Sequence, residues 1–445
     1  MSGQKSIPKH KFTRAASLAA TGAKVGANYI KNLGKRSITG KDYKEEFHED
    51  TAKATYEVFS KLKGGPLKVA QMLSLDSQLL PQPYVDQFSK AQYTAPPLSY
   101  PLVVRSFKRE FGKGPLEIFD TFEKDAAAGA SIGQVHKATK DGKEYAVKIQ
   151  YPGVAESLDS DLRMVKPIAL RLFKLDAATL DPYITEVRAR LIEETDYTLE
   201  LKRSREFAAA CKDLPNTRFP EYYPEFSSEK ILTMDWVDGL HLDQFAATDA
   251  DQEARNKVGQ TLWDFYHFQV HELRSFHADP HPGNFIVKDG ELWILDFGCV
   301  KTIQEDFYFD YFALMDPDRV AKDSDLDKLL LDLGILFEED GDEDLKKLRP
   351  IFRESIELLG RPFHKGEFDF GDEAYMDEIR EFGERTRLDK ELQSMQNGRG
   401  NAESLYINRA YFGLYNLAGA LRAHLRTDLP RFLKERNAEV VAQGV

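Results

Sequence analysis

Two Asp-Gly pairs, Asp141-Gly142 and Asp289-Gly290, constrain the fold of this chain more than any other feature. Each separates two short apolar-rich runs, and Asp-Gly supplies the positive-φ positions that a two-residue hairpin turn requires. The first hairpin joins Gln134–Thr139 to Glu144–Ile149 around Lys140-Asp141-Gly142-Lys143, which sets Val135 opposite Lys148. The second joins Phe285–Lys288 to Glu291–Leu295. One step further along its register pairs Asn284 with Leu295, so Asn284 and Asp296 become neighbours at the open end. Local geometry alone brings together two side chains able to hold a cation.

The motifs around these hairpins follow a protein-kinase order. They run Ala128-Gly129-Ala130-Ser131-Ile132-Gly133-Gln134-Val135, then Tyr145-Ala146-Val147-Lys148, then an acidic helix, then His277-Ala278-Asp279 with Asn284, then Asp296-Phe297-Gly298. Phosphoryl transfer asks a protein to position phosphates, hold magnesium and neutralise charge. In that scheme Ala128, Ala130, Ser131 and Gly133 form the phosphate loop, Lys148 contacts phosphate oxygens, and Val135 with Ala146 roofs the adenine of ATP. Asn284 and Asp296 hold Mg2+, and Asp279, five residues before Asn284, orients or deprotonates the nucleophile. Each element alone is a weak signal; their joint order and spacing is not. His277, Asp279 and His281 alternate, but with no further His or Cys set nearby they read as loop scaffold rather than a metal cluster.

A helix expected over about Thr185 to Phe207 carries Glu193, Glu194, Asp196 and Glu200. A kinase needs one acid there to pair with the strand lysine, and Asp196 with Glu200 shares a face at i, i+4. On one undistorted helix Glu194 lies about 240° away from Glu200, so both cannot face Lys148.

The remaining segments give an α+β expectation: a bilobal, protein-kinase-like fold with an N-terminal helical extension and a helical C-terminal extension. The expected divisions are a basic arm over 1–42, helices over 43–115, a small lobe over 116–240 and a helical large lobe over 241–445. Within them, Gln92 to Leu102 reads as an extended connection, Val103 to Phe111 as a short helix stopped by Gly112, and the last third offers no readable chemistry. Cys211 and Cys299 are widely separated and read as buried thiols rather than a disulfide or zinc pair.

The net charge of −12 conceals an asymmetry. Residues 1–41 hold nine Lys or Arg and no acid, which leaves the rest strongly acidic and argues against nucleic acid as a partner. Three readings fit the arm: a helix on an anionic membrane, a solvated basic tail, and a cleavable organelle-targeting peptide. No apolar run approaches bilayer length, so the expectation is a soluble, cytoplasmic chain, peripheral at a membrane if the arm binds one, and mitochondrial or plastid if the arm is a targeting peptide.

On these motifs the chain resembles the UbiB/AarF family of atypical kinase-like proteins over about residues 50–430. Three departures from ordinary kinases carry the resemblance: alanines at 128 and 130 in the phosphate loop, the form His277-Ala278-Asp279-Pro280-His281-Pro282-Gly283-Asn284, and Glu194-Thr195-Asp196 as the Glu-x-Asp motif, with Glu200 at the lysine-pairing position. The family also has an extension with a Lys-x-Gly-Gln motif that covers the place where a kinase would bind its peptide. Here it reads Lys68-Val69-Ala70-Gln71, with Lys68 and Gln71 on one helical face and Lys68 directed at Glu194 or Asp196; Ala70 replaces the glycine. The resemblance implies Mg-ATP binding, slow hydrolysis, no ordinary protein-kinase activity in trans, and support of ubiquinone or related isoprenoid-lipid metabolism at a membrane. It leaves a true kinase and a nucleotide-gated scaffold as alternatives, and names no lipid, acceptor or oligomeric state.

Overall fold

The structure is a computed structural model and describes residues 49–53, 55–56, 98–130, 132–173, 177–388 and 402–428. The basic arm, Lys68, Gln71 and Ser131 lie outside the described residues. The chain divides into two compact units, one running to Arg205 and including Glu221–Trp236, the other formed by Glu206–Pro220 and the chain from Val237 onward.

The first unit is built on an antiparallel sheet. It opens with helix α1 (Tyr100–Phe111), which begins inside the segment expected to be extended: Ser99 is its N-cap and Pro101 occupies its first turn, where a missing N–H costs nothing. Gly112 ends it in the left-handed region at φ 72°, its N–H bonded to Lys108 O. Strands β1 (Thr121–Phe122), β2 (Ala128–Gly129), β3 (Gly133–Lys140) and β4 (Lys143–Gln150) follow. β3 and β4 pair in the register set by the turn, Val135 opposite Lys148, with Asp141 and Gly142 at φ 52° and 77°. Helices α2 (Val154–Phe173), α3 (Ala177–Glu194) and α4 (Tyr197–Ala210) come next, and β5 (Ile231–Asp235) closes the sheet against β4. Val147, Ile149, Ile231 and Leu232 are fully buried, and Phe107 packs edge-on to Phe119 and Phe122.

The continuous acidic helix expected over Thr185 to Phe207 is two helices. Asp196 breaks it: its Oδ1 accepts from the backbone N–H groups of Thr198 and Leu199 and from the Thr198 hydroxyl, capping α4. An Asp side chain that satisfies two N–H groups at a helix start outcompetes continuation of the preceding helix. The angular argument separating Glu194 from Glu200 therefore does not apply.

The second unit is mostly helical. Helix α5 (Gln252–Phe268) starts at the N-cap Asp251, whose side chain accepts from Ala254 N, and runs into a π-type turn over Gln269–Leu273. Strand β6 (Ser275–His277) then leads to the second hairpin, β7 (Phe285–Lys288) and β8 (Glu291–Ile294), again paired as its Asp-Gly turn requires. Strand β9 (Val300–Thr302) returns antiparallel to β6, pairing Val300 with His277. Helices α6 (Glu305–Ala313), α7 (Asp342–Gly360) and α8 (Ala402–Leu421) form much of the rest. Phe265, Phe276, Phe285, Leu292, Ile294, Phe297 and Tyr308 lie in one buried cluster with Ile407, Leu414 and Tyr415 of α8. Cys211 and Cys299 are both free and buried, and burial pushes the Cys211 thiol up to about 12. Among the described residues no helix is long and apolar enough to cross a membrane.

Candidate nucleotide and catalytic-loop residues

In the first unit, period-two alternation along β4 puts Ala146 and Lys148 on one face, and the pairing adds Val135 to it. Lys148 Nζ lies 2.7 Å from Glu200 Oε1, with side chains 11% and 3% exposed, and 5.0 Å from the Tyr197 ring centroid. Capping by Asp196 makes this possible, because it starts α4 one turn before Glu200. A salt bridge this dry holds the lysine extended and leaves neither charge tolerable without the other. Glu193, by contrast, pairs with Arg203 at 2.7 Å.

β2 pairs Ala128 with Val135 and Gly129 with Gln134, and Ala130 N bonds to Gly133 O at 2.8 Å, so the loop folds back over β3. Gly133 is required by space: a Cβ there would sit 2.6 Å from Ile149 O and 2.7 Å from the Tyr197 hydroxyl.

The second unit holds the other acidic residues. The π-type turn aims Gln269 at β6, where its Oε1 accepts from His277 N at 2.9 Å. Beyond β6 the loop is braced by its own bonds. His281 N donates to Asp279 O at 2.7 Å, Asn284 N to His281 O at 2.9 Å, and Gly283 N to His281 Nδ1 at 3.0 Å. His281 thus serves the loop, and the described residues contain no cluster of three or more His, Cys, Asp or Glu able to hold a metal. The Asn284 amide is oriented by Nδ2, which donates to Asp279 O at 2.9 Å, so Oδ1 is the atom that can take a cation. Leu295 N bonds to Asn284 O at 3.0 Å, an extra rung beyond the paired strands, and Asp296 is the next residue along. Asp296 Oδ1 accepts from Gly298 N at 2.7 Å, and Phe297 is fully buried, stacked on Phe207 at 4.9 Å. One carboxylate and one carboxamide, both hard oxygen donors, fit a magnesium ion that keeps waters and substrate phosphates in its remaining positions.

One partner of this loop comes from the last third of the chain. Arg409, on α8, places Nη2 2.6 Å from Asp279 Oδ1. Gly413, one turn along, allows Pro280 to pack against the helix: a Cβ there would sit 2.7 Å from Pro280 Cβ. The available signal was an arginine in the middle of a helix otherwise rich in buried apolar residues, Tyr406, Ile407, Ala410, Tyr411, Leu414 and Tyr415.

Residues 90–325 match the model of the ABC1 atypical kinase-like domain. The chain is 28% identical over 386 residues to "Probable serine/threonine-protein kinase abkA" of Dictyostelium discoideum, covering 81% of this chain and 67% of that one. It is 30% identical over 331 residues to "Atypical kinase COQ8, mitochondrial" of Saccharomyces cerevisiae, covering 72% and 65%. It also matches 36% of the length of the chloroplastic "Protein ACTIVITY OF BC1 COMPLEX KINASE 8" of Arabidopsis thaliana, at 35% identity over 280 residues and 59% of this chain. The curated relatives are thus covered over about two thirds of their length or less. Among solved structures, Rv3197 of Mycobacterium tuberculosis, determined as its erythromycin complex, aligns with a TM-score of 0.58 and 27% identity over 90% of this chain and 97% of that one. With more than half of its residues inside the family model, and with the Asp279–Asn284 loop and the lysine–glutamate pair laid out in kinase order, this chain belongs to the ABC1 atypical kinase-like family, the UbiB/AarF group.

Proposed function

We propose that this protein binds Mg-ATP and hydrolyses it slowly, in support of ubiquinone or other isoprenoid-lipid metabolism at a membrane surface. The observation that carries the reading is the buried 2.7 Å Lys148–Glu200 pair, which presents a positioned cation for phosphate oxygens. Ala128, Ala130, Ser131 and Gly133 enclose the phosphates, and Val135 with Ala146 covers the adenine. Asn284 and Asp296 would hold magnesium, which would supply neutralisation of phosphate charge. Asp279 accepts a proton from the attacking water as the new P–O bond forms and ADP departs with the electrons of the bond that breaks.

The restriction to water rests on the family resemblance, which implies that Lys68 and Gln71 of the extension would act with Glu194 and Asp196 to close off an incoming peptide. The test is phosphate release from Mg-ATP by the full chain, with and without vesicles containing anionic lipid, beside an Asp296→Asn variant. Release abolished by the substitution and raised by the vesicles is expected; release indifferent to Asp296→Asn would sink the reading.

A second reading, phosphoryl transfer to a protein or small-molecule acceptor, is favoured by the braced Asp279–Asn284 loop, which retains the residue that would deprotonate a hydroxyl. Label from γ-labelled ATP appearing on an acceptor in lipid extracts or peptide pools would establish it. Tight ATP binding with no turnover in any lipid would favour the scaffold alternative instead.

A further inference from the structure

Between Asp279 and Asn284 the loop contains Pro280, His281, Pro282 and Gly283, and so no lysine or arginine. A carboxylate working beside a nucleotide's phosphates faces charge of its own sign, which turns it away. A cation that offsets this comes from elsewhere: Arg409 Nη2 lies 2.6 Å from Asp279 Oδ1, with the two side chains 16% and 22% exposed. It is 130 residues further along the chain and beyond residues 90–325 that match the family model.

The contact does not depend on a loose surface side chain. Its helix, α8, is fixed on both sides of Arg409. Glu403 accepts from Gln304 N at 2.9 Å, Asn408 accepts from the Tyr311 hydroxyl, and the Tyr411 hydroxyl lies 3.3 Å from His271 Nε2. Ile407, Ala410 and Leu414 are buried to 1% exposure or less. One turn beyond Arg409, Gly413 gives up its side chain so that Pro280, the residue after Asp279, can sit against the same helix. Two adjacent loop residues are therefore seated on two positions at i, i+4 spacing, one by charge and one by shape.

We propose that Arg409 is a positioning residue for phosphoryl transfer: its guanidinium, 2.6 Å from Asp279 Oδ1, fixes the rotation of that carboxylate toward the nucleophile. The helical segment that carries it is then part of the working site. This rests on the Mg-ATP reading above. Because Arg409 acts through Asp279, its removal slows turnover without weakening nucleotide binding.

The experiment compares the full wild-type chain with Arg409→Met and Arg409→Lys in Mg-ATP phosphate release, nucleotide affinity and thermal unfolding. Arg409→Met is expected to lower kcat by about 10- to 100-fold, the scale on which a misplaced catalytic group costs rate, with KM for Mg-ATP within about threefold. Arg409→Lys restores the charge without the planar fork and recovers part of the loss, which a purely structural contact would not distinguish. Three results overturn the inference: kcat of Arg409→Met unchanged, kcat raised, or kcat lowered only together with nucleotide affinity and unfolding temperature in both variants. A wild-type chain that turns over no ATP overturns the proposed function and this inference with it. An active wild type beside an indifferent Arg409→Met overturns this inference alone.

Discussion

Lys148–Glu200 and Arg409–Asp279 are nearly equal in length, 2.7 and 2.6 Å, but they sit in different surroundings. The first is almost dry, its acid 3% exposed, and spans 52 residues within one unit; the second is partly wet, its acid 22% exposed, and spans 130 residues within the other. Burial decides what each pair is worth. A desolvated pair is costly to break because one charge stays behind, whereas a wetter pair can be lost cheaply since water takes over. The two contacts should therefore separate when stability and turnover are measured side by side.

The largest stability effect falls on the dry pair. Lys148→Met leaves the Glu200 carboxylate buried without its cation and should cost about 3–5 kcal/mol in urea unfolding. Lys148→Met combined with Glu200→Leu removes both charges and should regain most of that loss, while ATP binding fails in both. A single variant as stable as the double would show that the pair is far more hydrated than its exposure implies.

Next comes the shape contact on α8. Gly413→Ala drives a methyl group into Pro280, and overpacking of this kind costs about 1–3 kcal/mol. It should also slow turnover, because the loop residue displaced adjoins Asp279. A variant with wild-type stability and rate would mean that α8 and the loop can part without consequence.

A smaller effect comes from the buried histidines behind the loop. His267 is stacked on Trp263 at 4.4 Å, and its Nδ1 lies 3.0 Å from His271 Nε2; that nitrogen also faces the Tyr411 hydroxyl, and His271 Nδ1 faces the hydroxyl of Tyr308. Burial lowers His267 to about 3, and burial first, then the neighbouring His267 and Arg274, hold His271 well below its ordinary value. Unfolded histidine takes a proton near pH 6.5 and folded His267 refuses it, so the unfolded state binds more protons as pH falls. Stability is complete above pH 6.5 and declines below it, by about 1.4 kcal/mol at pH 5.5 for His267 alone. His267→Phe should flatten that part of the profile; an unchanged slope would assign the acid sensitivity to other groups.

The asymmetry between the two pairs also explains what could be read from the chain. Asp141-Gly142 and Asp289-Gly290 fix strand register by turn chemistry, so Val135 opposite Lys148 and Leu295 paired with Asn284 follow from local rules. The break at Asp196 is hidden in the sequence because an acidic run at helical spacing looks continuous, and only the bonds from the N–H groups of Thr198 and Leu199 reveal the cap. Arg409 is hard to read for a different reason. Its one mark in the sequence is a charge among apolar helix residues, and its partner is chosen by the packing of α8, which no short-range pattern encodes.

The smallest stability effect should belong to the pair with the longest reach. Asp279 and Arg409 keep about a fifth of their side-chain surface in contact with solvent, so water can replace much of what each gives the other. Arg409→Met and Asp279→Asn should each cost about 1 kcal/mol or less in unfolding, and the two together should show little coupling in stability. In turnover the same pair should be strongly non-additive: once Asp279 is gone there is no carboxylate for Arg409 to hold, so adding Arg409→Met should change the remaining rate little. A double-mutant cycle run in parallel on unfolding and on phosphate release checks this. Strong coupling in unfolding would move Arg409–Asp279 into the class of Lys148–Glu200. Additive losses in turnover would detach Arg409 from Asp279 and leave the loop to position its own carboxylate.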